Sequence, residues 1–207
     1  MKHNCIISLF ILFLCLTNVK AQEVPSQQKW RKNYANVGYI FDYVNAPDVQ
    51  MSSKYGLSIG IGKTYFVGCE RATGNLRWGL DAIWSDAALV WYRNLFRKLD
   101  ISMGIGPSLT YLPRDDMQIH GYLHYLPSCS WMYHDNNSMI GPDDTWIGFN
   151  SIVAFGASCS WKFIGLGLEP RFCFCPYVQF PPCDCEPVHE SGFTSSIGLR
   201  AFVTFRF

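Results

Sequence analysis

Four cysteines stand in two close pairs, Cys173-Phe174-Cys175 and Cys183-Asp184-Cys185. Residues two apart on a strand share a face. A hairpin centred near Gln179 would therefore set Cys175 against Cys183 and Cys173 against Cys185. In an oxidising compartment this arrangement favours one or two disulfides. The same thiolates, with His189 nearby, could instead hold a metal ion, although zinc-binding cysteine pairs are usually spaced more widely. Free thiols complete the alternatives. Cys69, Cys129 and Cys159 share no such spacing. A second set, His120, His124, Ser128 and Asp135, contains the residue types of a hydrolase triad, with solvated loop residues as the simpler account. Asp115-Asp116 and Asp143-Asp144 supply far fewer oxygens than a calcium site needs.

Elsewhere charge is sparse. The 207 residues carry 17 basic and 16 acidic side chains, a formal net charge of +1, and charged residues make up only 16%. No charge imbalance points to nucleic acid or another polyanion. Aromatics also reach 16% and apolar residues 49%, which excludes intrinsic disorder. The mean hydropathy nevertheless lies near zero, far too low for a bundle of membrane helices. Such a balance arises when apolar residues alternate with small polar ones.

The start of the chain reads as a targeting segment. Lys2 and His3 precede an almost continuous apolar run from Ile6 to Leu16, followed by Val19-Lys20-Ala21. This is the pattern of a secretory signal peptide over residues 1–21, too short to span a bilayer as a helix. Phe13-Leu14 before Cys15 lack the small residues of a lipid-attachment signal. Cys5 and Cys15 would leave with the segment. The remaining cysteine count is odd, so at least one thiol stays free or pairs elsewhere. Residues 22–34 are polar and without period, and read as a flexible arm.

From residue 35 onward a two-residue alternation dominates. Leu99, Ile101, Met103, Ile105, Leu109 and Tyr111 share one face, with Asp100, Ser102, Gly104, Gly106, Ser108 and Thr110 on the other. The pattern recurs over Tyr55–Ile61, Leu76–Trp84, Ile147–Trp161, Leu166–Phe174 and Phe193–Phe207, and more weakly over Ala35–Val44 and Ala87–Leu95. The expectation is eight antiparallel strands joined up and down into a barrel. Phe96-Arg97-Lys98, Lys162-Phe163 and Gly68–Gly74 are expected as turns. Asn45–Ser53, Leu112–Thr145 and Pro176–Ser191 are expected as longer connections, with a short one near Ser85-Asp86. His120, Tyr122 and His124 alternate, so part of the longest connection would extend the wall as a hairpin.

The polar face is mainly Gly, Ser and Thr, which suits the crowded lumen of a narrow barrel better than a water-exposed surface. Its few charges, Asp42, Arg77, Asp81, Asp100, Glu169, Arg171 and Arg200, have both signs, as burial requires. The apolar face would then meet lipid. Trp78, Trp84 and Trp161, at or near strand ends, would contribute to interfacial aromatic girdles.

At this point the sequence resembles the small outer-membrane β-barrels of Gram-negative bacteria. The resemblance rests on the signal peptide, on Trp91–Pro107 with its Gly104-Ile105-Gly106-Pro107 ending, and on a C-terminal strand closing at Phe205 and Phe207. It implies an eight-stranded all-β transmembrane barrel over residues 35–207, with both termini in the periplasm. Phe205 and Phe207 would be the signal read by the barrel assembly machinery. Asn45–Ser53, Leu112–Thr145 and Pro176–Ser191 would lie outside the cell. The expected partners are outer-membrane lipid and the assembly machinery, with no cofactor. The expected role is non-enzymatic: envelope structure, adhesion or partner contact through the loops. Alternatives are a narrow pore, a lipid-modifying enzyme, a component of a secretion or envelope machine, and a soluble barrel holding an apolar ligand. The local sequence around His120 and Ser128 does not match the motifs of the lipid-trimming barrels.

Overall fold

A computed structural model of the protein describes residues 30–45, 50–67, 75–93, 96–134, 145–180 and 191–207. Eight strands run in chain order: β1 (Asn33–Asn45), β2 (Gln50–Phe66), β3 (Leu76–Tyr92), β4 (Phe96–Arg114), β5 (Met117–His134), β6 (Thr145–Trp161), β7 (Ile164–Phe180) and β8 (Ser191–Arg206). Each pairs antiparallel with its sequence neighbours, and β1 pairs with β8 to close the barrel. The seam runs from Tyr34 opposite Arg206 to Asn45 opposite Ser195. Reciprocal backbone bonds between Asn33 and Phe207, 2.9 and 3.0 Å, fasten the rim at which the chain starts and ends. Closure leaves no strand edge unpaired, the condition for a sheet to cross lipid. With 13 residues or more, every strand exceeds the span of a hydrocarbon core.

The alternation resolves in the expected sense. On β4, Ile101, Met103 and Ile105 point outward and are more than half exposed, while Asp100, Ser102, Ser108 and Thr110 are buried in the lumen. The same inversion holds around the wall: Leu57, Ile59 and Ile61 on β2, Leu166 and Leu168 on β7, and Ile197 and Leu199 on β8 face outward. Trp78 and Trp161 stand near the terminal rim, and Trp91 and Trp131 near the opposite one. Trp84 does not fit the girdle expectation, because it lies midway along β3.

Two strand assignments change. Leu76–Trp84 and Ala87–Leu95 are one strand, β3. The ladder to β4 slips between Ile83 and Asp86, so Trp84 and Ser85 both face outward and the inward phase passes from odd to even positions. This is a β-bulge, not a connection. The compensating strand, β5, lies inside the segment expected as the loop Leu112–Thr145. It adds one strand rather than a hairpin, because β4 continues to Arg114 and turns at Asp115-Asp116. Consequently Phe96-Arg97-Lys98 opens a strand, and the rim opposite the termini is formed by the ends of β1, β3, β5 and β7 and the starts of β2, β4, β6 and β8. The terminal rim carries the end of β2, the start of β3 and the turns at 115–116 and 162–163. In the last of these turns Lys162 takes a φ of 54°.

The barrel begins at Asn33, earlier than expected, and residues 30–32 before it are docked. Trp30 packs edge-on against Phe66 at 5.2 Å, with the Arg77 guanidinium over its ring at 4.4 Å. The Arg31 carbonyl accepts from Gln118 on β5 at 3.4 Å, and the Lys32 carbonyl from the Thr64 amide on β2 at 2.7 Å. Residues 30–32 thus lie over the terminal mouth of the lumen.

Ile105→Arg places a charge on the outward face at the middle of β4 and should cost about 2–4 kcal/mol. Urea unfolding in lipid vesicles checks this, and an unchanged midpoint would contradict the outward assignment.

Candidate functional site: the charged lumen

The closed wall turns its inward residues toward one another, and three polar clusters result. The middle one is an ionic quartet. Arg200 reaches Asp86 at 2.6 Å and Glu169 at 2.7 Å, while Arg171 reaches Asp86 at 2.7 Å and Glu169 at 2.5 Å. All four side chains are buried. Glu169 and Arg200 are direct cross-strand partners on β7 and β8. Asp86 comes from across the lumen, turned inward by the β3 bulge. Gly60 leaves the space this bridge occupies: a Cβ there would lie 3.1 Å from the Asp86 carboxylate. Tyr122 on β5 adds its hydroxyl to Glu169 at 2.5 Å.

Toward the terminal rim, Asp81 is the hub. Its Oδ2 accepts from His120 Nε2 at 2.8 Å and His124 Nε2 at 3.0 Å, and its Oδ1 from the Ser108 hydroxyl at 2.9 Å. His120 Nδ1 is 2.8 Å from the Thr110 hydroxyl. Tyr122 stacks on His124 at 4.1 Å, joining this cluster to the quartet. Toward the opposite rim, Lys98 lies 3.3 Å from Asp42 and 3.0 Å from Asp100. Tyr92 donates to Asp42 at 2.7 Å, and Ser130, itself bonded by Asn150, donates to Asp100. An apolar cluster of Ile40, Val44, Met51, Ala88, Val90 and Tyr92 packs beside this lysine inside the lumen, with Val90 its cross-strand partner on β3.

Six of the seven charges expected in the lumen therefore enter these clusters. Arg77 instead stacks on Trp30. Sequence reasoning missed Asp86, Lys98, Tyr92, His120, His124 and Tyr122 as lumen partners. Asp86 and Lys98 fall where the pattern predicts connections, and the two histidines where it predicts a loop. Their signal was present as the alternation His120, Tyr122, His124.

Among the described residues of the triad set, the Ser128 hydroxyl bonds neither His120 nor His124. Ser128 faces the lumen on the level of Ser102, and Asp135 lies outside the described residues. Thr110, His120 and Asp81 do form a hydroxyl–imidazole–carboxylate chain, but Thr110 is fully buried. A nucleophile needs a substrate within reach. The hairpin about Gln179 does not form either. The strand β7 runs through Gln179 to Phe180 and sets Cys173 opposite Ser196 and Cys175 opposite Thr194. Cys183, Cys185 and His189 lie outside the described residues. Among the described residues no cluster of ligating side chains could hold a metal ion. Phe205 faces outward on β8, and Phe207 is exposed just beyond its end.

An apolar exterior around a lumen of paired charges is the inverse of a soluble barrel. Among solved structures, Neisserial surface protein A superposes with a TM-score of 0.55 at 14% identity, over 84% of this chain and 97% of that one. The chain has the fold of the small outer-membrane β-barrels. Two further structures align more loosely. They are the attachment invasion locus protein Ail of Yersinia pestis (TM-score 0.43, 9% identity, 86% and 100% covered) and the translocator domain of the autotransporter NalP from Neisseria meningitidis (0.36, 8%, 98% and 96%). No family model and no curated protein sequence matches the chain.

Arg200→Met leaves two buried carboxylates to share one guanidinium. Breaking a buried pair this way should cost about 3–5 kcal/mol. Urea unfolding of the vesicle-embedded barrel reads the loss. A change below about 1 kcal/mol, the range of exposed pairs, would show that water screens the quartet.

Proposed function

We propose that this chain is a non-enzymatic integral outer-membrane protein whose barrel is a sealed anchor for the connections at residues 46–49, 93–95, 135–144 and 181–190. The observation that carries the reading is the inversion of faces: large hydrophobics exposed around the whole wall, with charges paired inside. Residues 135–144 and 181–190 are the longest of these connections and are the segments through which contact with an external partner would be made. Both termini then lie on the periplasmic side. Export through residues 1–21 and hand-over to the assembly machinery through Phe205 and Phe207 belong to the same reading.

A sealed lumen favours an anchor over a pore. The ionic quartet crosses the middle, the apolar cluster around Val90 fills one end and residues 30–32 cover the other. Eight strands leave room for little beyond side chains.

The test is a denaturing gel of unboiled and boiled membrane fractions, joined to protease treatment of intact cells. The reading expects faster migration of the unboiled band and cleavage confined to the connections opposite the termini. A single unshifted band in the soluble fraction would defeat it. Deleting Phe207 should reduce the heat-shifted form several-fold while leaving total synthesis unchanged, as measured on the same gels. Full assembly without Phe207 would remove the terminal residue from the assembly signal.

A further inference from the structure

The outer wall carries a depression of about 660 Å³ beside the terminal rim. That is within the range of small-ligand sites. It follows from side-chain sizes on three adjacent strands. Cys159, Leu166 and Val203 lie side by side on β6, β7 and β8. Leu166 is 70% exposed and stands as a ridge, while the short Cys159 and Val203 leave hollows beside it. Ile164 and the backbone of Gly165 continue the lining, which is overwhelmingly apolar. Trp161 closes the hollow toward the rim. Its indole N–H is held by Asp116 at 2.7 Å, fixing the ring where the apolar wall meets the polar turn. Tryptophan takes that position at a membrane–water boundary. Just beyond it, Arg114 lines the same depression, exposed and without a carboxylate partner among the described residues. Asp116 keeps its negative charge while accepting from the tryptophan, but it also faces Arg31, so Arg114 supplies the cation of the mouth.

We propose that this groove is a binding site for one glycerophospholipid, its acyl chain seated over Cys159, Leu166 and Val203 and its phosphate on Arg114. The inference rests on the membrane-anchor reading. That reading places the terminal rim at the periplasmic leaflet and so makes the amphiphile a phospholipid. The layout matches such a molecule end to end: apolar floor, interfacial indole, cation. A second barrel fits less well, because its convex wall would rest on the Trp161 and Leu166 ridges and leave the hollow beneath unfilled.

The protein would be reconstituted into vesicles containing equal parts of a zwitterionic and an anionic glycerophospholipid, extracted into mild detergent and measured by native mass spectrometry. The expected result is a one-lipid species well above a statistical ladder. Val203→Trp fills the hollow and denies a seat to a few methylene groups, so it should lower that species about tenfold. Arg114→Glu should lower it several-fold and more strongly for the anionic lipid. Met103→Trp, on the outward face of β4 away from the groove, should leave it unchanged. The heat-dependent gel shift of each variant reports folding independently. A shift-competent Val203→Trp protein with an unaltered adduct pattern would overturn the site and leave annular lipid only. A two-protein species in place of the lipid adduct would assign the groove to self-association. A wild-type protein with no heat shift and no entry into vesicles would defeat the anchor reading, and the groove with it.

Discussion

Two arginines and two acids in the middle of the lumen set the terms for the rest of this barrel. Each of Asp86, Glu169, Arg171 and Arg200 touches two partners of opposite sign. Buried charges in such a space are tolerated only when paired and hydrogen-bonded. The pairing is long-range: Asp86 meets residues 85 and 114 positions later in the chain. It therefore exists only once β1 has met β8 and the wall has closed. Closure is in turn what satisfies the backbone of every strand in lipid. The ionic centre and the hydrogen-bonded wall are two consequences of one geometric event.

The small residues of the inner face are the other half of that constraint. Gly60 makes room for the Asp86–Arg200 bridge, and Gly167 lies under the Phe202 ring where any Cβ would collide with it. Glycine and serine on this face thus mark where larger partners reach across. The clusters above and below follow the same logic with different chemistry. One lysine serves two carboxylates near one rim, and one carboxylate serves two histidines near the other. The apolar cluster packs at the level of the lysine and the Trp30 segment lies over the histidine end, which limits water entry to the paired groups.

Much of this was legible in the sequence, because a barrel writes its two faces as a period of two. The outward face of β4, the inward placement of Asp42, Asp81, Asp100, Glu169, Arg171 and Arg200, and the closing strand all follow from alternation. The strand number came out at eight although two errors cancelled. The β3 strand looked like two because its bulge reverses the phase after Trp84. The β5 strand was missed because its inward side carries His120, Tyr122, His124 and Leu126, which blur the contrast with Ile119, Leu123 and Tyr125 opposite. Pro127 also interrupts it. The same errors hid Asp86 and Lys98, whose partners lie on distant strands. Pairing across a lumen leaves no local trace in a sequence. Nor does a groove made by the relative heights of Cys159, Leu166 and Val203 on neighbouring strands.

The central claim is that odd-numbered positions of mid-β4 face hydrocarbon and even-numbered ones face a sealed interior. Single fluorophores attached at cysteines placed in turn at Ile101, Ser102, Met103 and Gly104, in a background with the native cysteines replaced, would test it in vesicles containing a bromine-labelled lipid. The account predicts quenching by the lipid at 101 and 103, and protection at 102 and 104 from both the lipid and an aqueous quencher. Quenching that does not alternate, or an aqueous quencher reaching 102 and 104 freely, would contradict it.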